Sequence, residues 1–296
     1  MGNLLNKYVN SKFVQDLQRV SKYGNTIKPT NLYEIRNNRF NELKSPIFFL
    51  STGRCGTAWL TKLMEDDKSL IVIHNPENAL LAQSKLFYEL YSQQSLSENE
   101  WLLFEEMYLA AFENLFLNCI KSGKRLVFTE SRTSFFAPII AKLLPQAKFV
   151  HVYRHPGEFV RSGIRRGWYV KENDTSLLYK IKPKSNTLNW DSYSQIQKVS
   201  WLWNETNQFI EEFKCNIDSS KHYNLNFNTW TTDILFDLLT NLDIKTSKAL
   251  IRKNLDVKVN VAKNENFDVY ENWDANDKDK LKEICHELAS KYNYNL

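Results

Sequence analysis

Three groups of residues have the types and spacing to do chemistry. The first is Gly53-Arg54-Cys55-Gly56-Thr57-Ala58-Trp59, a basic residue set between two glycines with a hydroxyl directly behind. Glycines let backbone N–H groups approach an anion closely, and the guanidinium adds delocalised positive charge. The second is Arg154-His155-Pro156, with Ser162 eight residues beyond Arg154 and Arg166 following. A guanidinium fork matches phosphate oxygens, and a serine hydroxyl adds a neutral donor. The third is His74-Asn75-Pro76-Glu77, which sets an imidazole and a carboxylate three residues apart.

These residues need particular elements to hold them. Ile47 to Leu50 form a short apolar run suited to a buried strand, and Thr57 to Glu65 read as a helix. A strand, a glycine turn and a helix N-terminus in that order make an anion site, where the helix dipole favours negative charge. The alternative is a strand–helix turn with no ligand. The nucleotide-triphosphatase loop needs Gly, four residues, then Gly-Lys-Ser/Thr; here Thr57 follows Gly56 directly, and the basic residue precedes it. Leu70 to His74 read as a second strand, which places Glu77 beyond its carboxyl end, where open parallel sheets bind ligands. Pro76 suits the first turn of a following helix, so Glu77 either acts in chemistry or stabilises that helix N-terminus.

Helices are expected at 78–93 and 98–121, the second opened by a Ser97/Glu100 capping box. Their aromatic stripes are assigned to the core. Arg125 to Thr129 read as a third strand with Glu130, Ser131 and Arg132 at its exit, facing substrate or forming an internal ion pair. A helix follows at 135–144. Phe149 to Tyr153 form a fourth strand delivering Arg154, and Pro156 starts the next helix. His151 reads as a core histidine and His155 as a junction residue bonded locally. Residues 170–189 read as a loop over the site. Further helices are expected at 190–213, 229–242, 245–254 and 274–292, with a strand at 221–227.

The loop at 53–59 resembles the sulfotransferase family, whose 5′-phosphosulfate loop reads roughly Lys/Arg-x-Gly-Thr-x-Trp. Arg54, Gly56, Thr57 and Trp59 match in place, while Ala58 stands where a hydroxyl is common. The second arginine group is similar to the family's 3′-phosphate motif: arginine at a strand end, proline two later, serine eight later. The resemblance implies an α/β, three-layer fold with a central, mostly parallel five-stranded sheet flanked by helices, related to nucleotide kinases. It also implies the donor 3′-phosphoadenosine 5′-phosphosulfate (PAPS), with adenosine 3′,5′-bisphosphate as product and no metal. On that reading Arg54 bridges the 5′-phosphate and the leaving oxygen. Backbone N–H groups of Cys55, Gly56, Thr57 and Ala58 hold the 5′-phosphate, with the Thr57 hydroxyl. Trp59 stacks on adenine, worth about 1–3 kcal/mol, or packs its own helix. Arg154 and Ser162 hold the 3′-phosphate, with Arg166 a third donor. Glu77 takes the acceptor's proton, with His74 and Glu130 as reserves. Two family elements are missing: Phe227-Asn228-Thr229-Trp230 stands where a Tyr-Glu-Asp-Leu-like segment is common, and no glycine-rich C-terminal loop is present. Segments 165–189 or 254–273 are expected to cover the nucleotide instead.

Composition sets the frame. With 296 residues, 43% hydrophobic and 14% aromatic, the chain can bury a large core and is not disordered. A single catalytic domain is expected over 46–296, behind a basic arm at 1–45 with a helix near 10–22. A formal charge of +5 is too mild for a nucleic-acid binder, but the basic residues concentrate between Lys121 and Lys171. That suits an anionic ligand. Cys55, Cys119, Cys215 and Cys285 lack metal or disulfide spacing, and there is no long apolar run. A reduced, soluble cytoplasmic protein of bacterial type is expected, with Cys55 as a buried filler. The partner is a hydroxyl- or amine-bearing acceptor such as a sugar, a lipid headgroup or a phenol. An ATP-dependent kinase on a related fold and a non-catalytic nucleotide- or carbohydrate-binding module stand as the other readings.

Overall fold

The computed structural model describes residues 40–77, 79–92, 96–170, 180–183, 189–255 and 267–296. The expected helix near 10–22 lies outside these residues, as does much of 170–189 and 254–273. The chain divides into two units, Met1–Glu42 and Leu43–Leu296. The second holds every candidate residue.

In that unit the order is β1 (Ile47–Leu50), α1 (Thr57–Met64), β2 (Leu70–Ile73), α2 (Leu81–Tyr91), α3 (Glu98–Ser122) and β3 (Arg125–Phe128). There follow α4 (Ala137–Leu143), β4 (Lys148–Tyr153), α5 (Pro156–Ile164), α6 (Gln195–Cys215) and β5 (His222–Asn226). The chain ends with α7 (Thr232–Asn241), α8 (Lys248–Leu255) and α9 (Ala275–Lys291). All strand pairs are parallel in the order β2-β3-β1-β4-β5. The expected five-stranded parallel sheet is therefore present.

Strand alternation builds two core layers. Ile47, Phe49, Val127 and Val150 pack with Leu60 of α1 and Leu239 of α7 on one face. Phe48 meets Phe128 and Phe149 at ring-centroid distances of 5.7 and 5.9 Å. Phe112 of α3 and Phe213 of α6 then cover Phe128 and Phe149.

Several helices begin later than the sequence pattern implies, each for a local reason. The second helix starts at Leu81, not 78, because Asn75 and Leu80 sit in the left-handed region at φ 52° and 53°. Pro76 therefore lies in a turn rather than in a first helical turn, and Glu77 stabilises no helix N-terminus. Residues 131–136 form a 3₁₀ turn, so the α-helix opens at Ala137 with Pro138 behind it. Trp190–Ser192 is likewise a 3₁₀ turn, because the Ser194–Gln197 capping box starts α6 at Gln195. Ser97 and Glu100 form the expected capping box on α3.

His151 is buried on β4, as expected, but within a charged network. Its Nε2 lies 2.9 Å from Asn207 Oδ1 and its Nδ1 3.2 Å from Glu211 Oε1. Glu211 also accepts from Lys214 at 2.6 Å, Lys291 at 2.7 Å and the Tyr292 hydroxyl at 3.0 Å. These bonds tie α6, β4 and the end of α9 together. Burial holds the His151 imidazole below its ordinary value. Burial pushes Glu211 up, but its contacts with His151, Lys214 and Lys291 outweigh this and hold it well below the carboxylate range. Both groups resist protonation in the fold, so acid stabilises the unfolded chain. The unfolding midpoint is expected to fall as pH drops below 6.5, and again below 4.5, the ordinary values of the two groups. Glu211→Gln should remove the lower leg and cost about 3 kcal/mol near neutrality by leaving Lys214 buried without its anion. Denaturant titrations from about pH 2 to 8, run on both proteins, read the two legs; an unchanged lower leg in the variant refutes this account.

Candidate active site

Parallel pairing of β1 with β4, Leu50 opposite His151, puts both arginine turns beyond the same sheet edge. In the first turn Gly53, Arg54 and Gly56 adopt φ of 80°, 59° and 81°. Three left-handed residues within four positions curl the backbone back before α1, and only the two glycines do so without strain. The curl is pinned from below. Gly53 N–H donates to Ser51 Oγ at 2.9 Å, Ser51 N–H donates to Ser134 Oγ at 2.9 Å, and the buried Cys55 thiol lies 3.1 Å from the Gly53 carbonyl. Burial raises the Cys55 pKa, so this thiol is the filler the sequence implies.

The two turns meet through their charged side chains. Arg54 Nε donates to Ser162 Oγ at 3.3 Å, and Arg166 Nη1 donates to the same oxygen at 2.7 Å. Arg154 Nη1 donates to the Arg54 carbonyl at 3.1 Å, and its Nη2 pairs with Glu158 at 3.1 Å. Arg54, Arg154, Ser162 and Arg166 thus form one cluster, with Arg54 against the group assigned to the far phosphate. The Arg154 Nε is buried without a hydrogen-bond partner among the described residues.

Trp59 points elsewhere. It is 8% exposed, its ring lies 5.2 Å from that of Trp230, and its indole N–H donates to the Asn254 carbonyl at 2.9 Å. This placement is the helix-packing alternative rather than an open stacking face.

The segment that departs from the family pattern proves to be the partner of both turns. A Cβ on Gly56 would fall 2.5 Å from Phe227 and 2.7 Å from Trp230, so these rings seat directly on the loop. The Arg154 guanidinium lies 4.9 Å from the Phe227 ring centroid, and Asn228 Oδ1 accepts from His155 N–H at 2.8 Å. Uncharged side chains of this segment, Phe227 and Asn228, make these contacts. Trp203 of α6 adds a bond from its indole N–H to the Arg154 carbonyl at 2.9 Å. Sequence reading missed these roles: Asn226-x-Asn228 after a strand is a visible turn signal, whereas Trp203 is indistinguishable from its helix's core stripe.

His155 caps α5, accepting the Gly157 N–H on Nδ1 at 3.1 Å, so its Nε2 carries the proton donated to the Asn295 carbonyl at 3.2 Å. Burial lowers its pKa, in keeping with that neutral tautomer. From the covering segments, residues 171–179, 184–188 and 256–266 lie outside the described residues. The described remainder packs on α5: Arg161 Nε donates to the Phe267 carbonyl at 2.9 Å, and Tyr270 covers Gly157, where a Cβ would fall 2.4 Å from its ring.

At the exits of β2 and β3 the three candidate bases separate. Glu130 is buried and accepts from Arg132 at 2.8 and 2.6 Å, with the Arg132 backbone N–H at 2.9 Å. It is the anion of an internal ion pair and has no proton-accepting face toward a substrate. Half-buried His74 places Nδ1 3.2 Å from the Thr129 carbonyl and 3.1 Å from its hydroxyl. A carbonyl only accepts, so Nδ1 carries the proton and Nε2 the lone pair. Thr129 in turn contacts Thr61 at 2.7 Å, and Thr61 donates to the Thr57 carbonyl at 2.8 Å, a chain that ends at the first turn of α1. Glu77 is exposed and borders an open cleft of about 630 Å³ that Arg132 also lines. Arg132 reaches from Glu130 to Asn75 Oδ1 at 2.9 Å, holding the left-handed residue that turns the chain toward Glu77.

Among the described residues no cluster of His, Cys, Asp or Glu is arranged for a metal, and no helix is long and apolar enough to cross a membrane. Residues 46–190 match the model of the sulfotransferase family. No curated protein matches the chain. In fold the chain is similar to a sulfotransferase domain from the curacin biosynthetic pathway, at 15% identity and TM-score 0.50, over 86% of this chain and 99% of that one. It is also similar to sulfotransferase STF9 from Mycobacterium avium, at 12% identity and TM-score 0.51, over 86% of this chain and 78% of that one. The match over residues 46–190, the segment that carries both arginine turns, puts the chain in the sulfotransferase family.

Proposed function

We propose that this protein transfers a sulfuryl group from PAPS to a hydroxyl or amine acceptor. The observation that carries the reading is the convergence of Arg54 and Arg166 on the Ser162 hydroxyl, with Arg154 bound to the Arg54 backbone. The residues present fit a nucleotide with phosphates at two positions. The donor set is cationic, Arg154 Nε is buried without a partner among the described residues, and the loop curls into a helix N-terminus. When bound, the donor supplies an activated sulfuryl group whose departure leaves charge on a phosphate oxygen.

The chain's own residues then have distinct tasks. Backbone N–H groups from Cys55 to Ala58 orient the 5′ end, and Arg54 stabilises the charge that grows there, an electrostatic role requiring no covalent step. Ser162, Arg166 and Arg154 read the 3′ end. Phe227 and Trp230 exclude water from beneath the loop. For proton removal His74 offers Nε2 with its tautomer set by Thr129, whereas Glu77 offers an exposed carboxylate at the cleft. A cytoplasmic setting accords with four free cysteines, three of them buried.

Arg54→Ala should lower turnover by at least a hundredfold with the fold intact, measured as transfer of labelled sulfate from PAPS; near-normal turnover removes it from the reaction. Ser162→Ala with Arg166→Ala should weaken adenosine 3′,5′-bisphosphate by tenfold or more while leaving AMP within twofold, read by calorimetry. Equal losses for both nucleotides contradict 3′-phosphate recognition. His74→Gln and Glu77→Gln separate the bases: the true one loses turnover with bisphosphate affinity unchanged, and two fully active variants place proton removal elsewhere.

A further inference from the structure

The cleft beside Glu77 has a chemistry of its own. One wall is the turn into α2, with Ala79, Leu80, Leu81 and the polar Gln83; the other is one face of α3, with Met107, Ala110 and Ala111. Only side chains three and four apart on a helix line up in this way, so the α3 wall is a single ridge. The two alanines make it shallow, and Met107 is an adaptable, polarisable surface. Leu103, one turn earlier on the same face, is 58% exposed and carries the ridge beyond the cleft. An apolar ridge on α3 facing a wall that carries Gln83 has a reason if a ligand lays its apolar part on the ridge while its other parts make hydrogen bonds.

The cleft's polar end points to that reason. Glu77 and Arg132 border it there. Arg132 directly follows Ser131, whose hydroxyl lies 3.6 Å from the place a Gly53 Cβ would take, so the cleft's polar lining is one residue along the chain from a contact with the turn that carries Arg54. From Ala111 to Leu103 the ridge runs roughly 12 Å at the rise of an α-helix.

We infer that this cleft is the acceptor site and that the acceptor is an amphiphilic alcohol or amine. Its reacting group sits at the Glu77 end, and its extended apolar body lies along Ala111, Ala110, Met107 and Leu103. The inference rests on the proposed transfer reaction, since that reaction is what requires an acceptor next to the loop.

Calorimetric titration of butanol, octanol and dodecanol into the protein saturated with adenosine 3′,5′-bisphosphate tests it without needing turnover. Affinity should rise about two- to fourfold per added methylene, as burial of alkyl groups dictates, and glucose should show no comparable binding. Ala110→Trp, at an exposed position facing the cleft, should flatten the series while bisphosphate affinity stays within twofold. Met107→Asp provides a second variant with the same expected outcome. A flat series in the wild type, or a slope that survives in both variants, overturns the inference. Loss of bisphosphate binding in the wild type, by contrast, sinks the proposed function, and the alkanol series repeated on the nucleotide-free protein still reports whether the cleft takes an apolar chain.

Discussion

Parallel pairing of β1 with β4 is the constraint on which the site depends. The two strands lie about a hundred residues apart in the chain, yet their register sets Leu50 opposite His151 and sends both chains out at one edge. Each then turns directly into a helix. Had the strands been antiparallel or separated by another strand, Arg54 and Ser162 could not share a hydrogen bond. β1 is flanked by β3 and β4, so the exit of β3, with Ser131 and Arg132, arrives beside the same loop. The sheet order thus places an anion cradle at the centre and a cleft on the β2–β3 side.

The electrostatics of the cradle follow from that crowding. Arg54 and Arg166 share one hydroxyl oxygen at 3.3 and 2.7 Å. Their bonding nitrogens are therefore within about 6 Å of each other, where like unit charges repel by about 3 kcal/mol at an effective dielectric near 20. Arg154 adds a third cation, balanced in part by Glu158 at 3.1 Å. Repulsion of this kind costs stability, and an anion bound between the guanidiniums offsets it. On the proposed function, that anion is a phosphate of the donor nucleotide.

On the β2 side, two left-handed residues decide what each carboxylate can do. Asn75 and Leu80 stop the chain from entering a helix at Pro76, so Glu77 stands on a turn at the mouth of a cleft. Arg132 holds that turn through Asn75 and silences Glu130 by pairing with it. One guanidinium therefore separates a structural carboxylate from an available one. His74, the first residue after β2, receives its orientation from Thr129.

Much of this was legible in the residues. The short apolar runs Ile47–Leu50 and Leu126–Phe128, and Phe149–Val152 with only His151 breaking the pattern, lie between helical stretches and read as buried strands. Gly53 and Gly56 announce a left-handed turn, Pro156 a helix start, and Ser97 with Glu100 a cap, because each of these signals is local and acts through its own backbone. The side-chain partners were not legible. That Trp59 packs on Trp230, that Phe227 seats on Gly56, and that Arg54 reaches Ser162 all depend on segments far apart in sequence. A residue type states which bonds a side chain is able to make; only the packing of the sheet and its helices brings one particular partner within reach, because hydrogen bonds and ring contacts act over a few ångströms while the chain between the partners can be a hundred residues long.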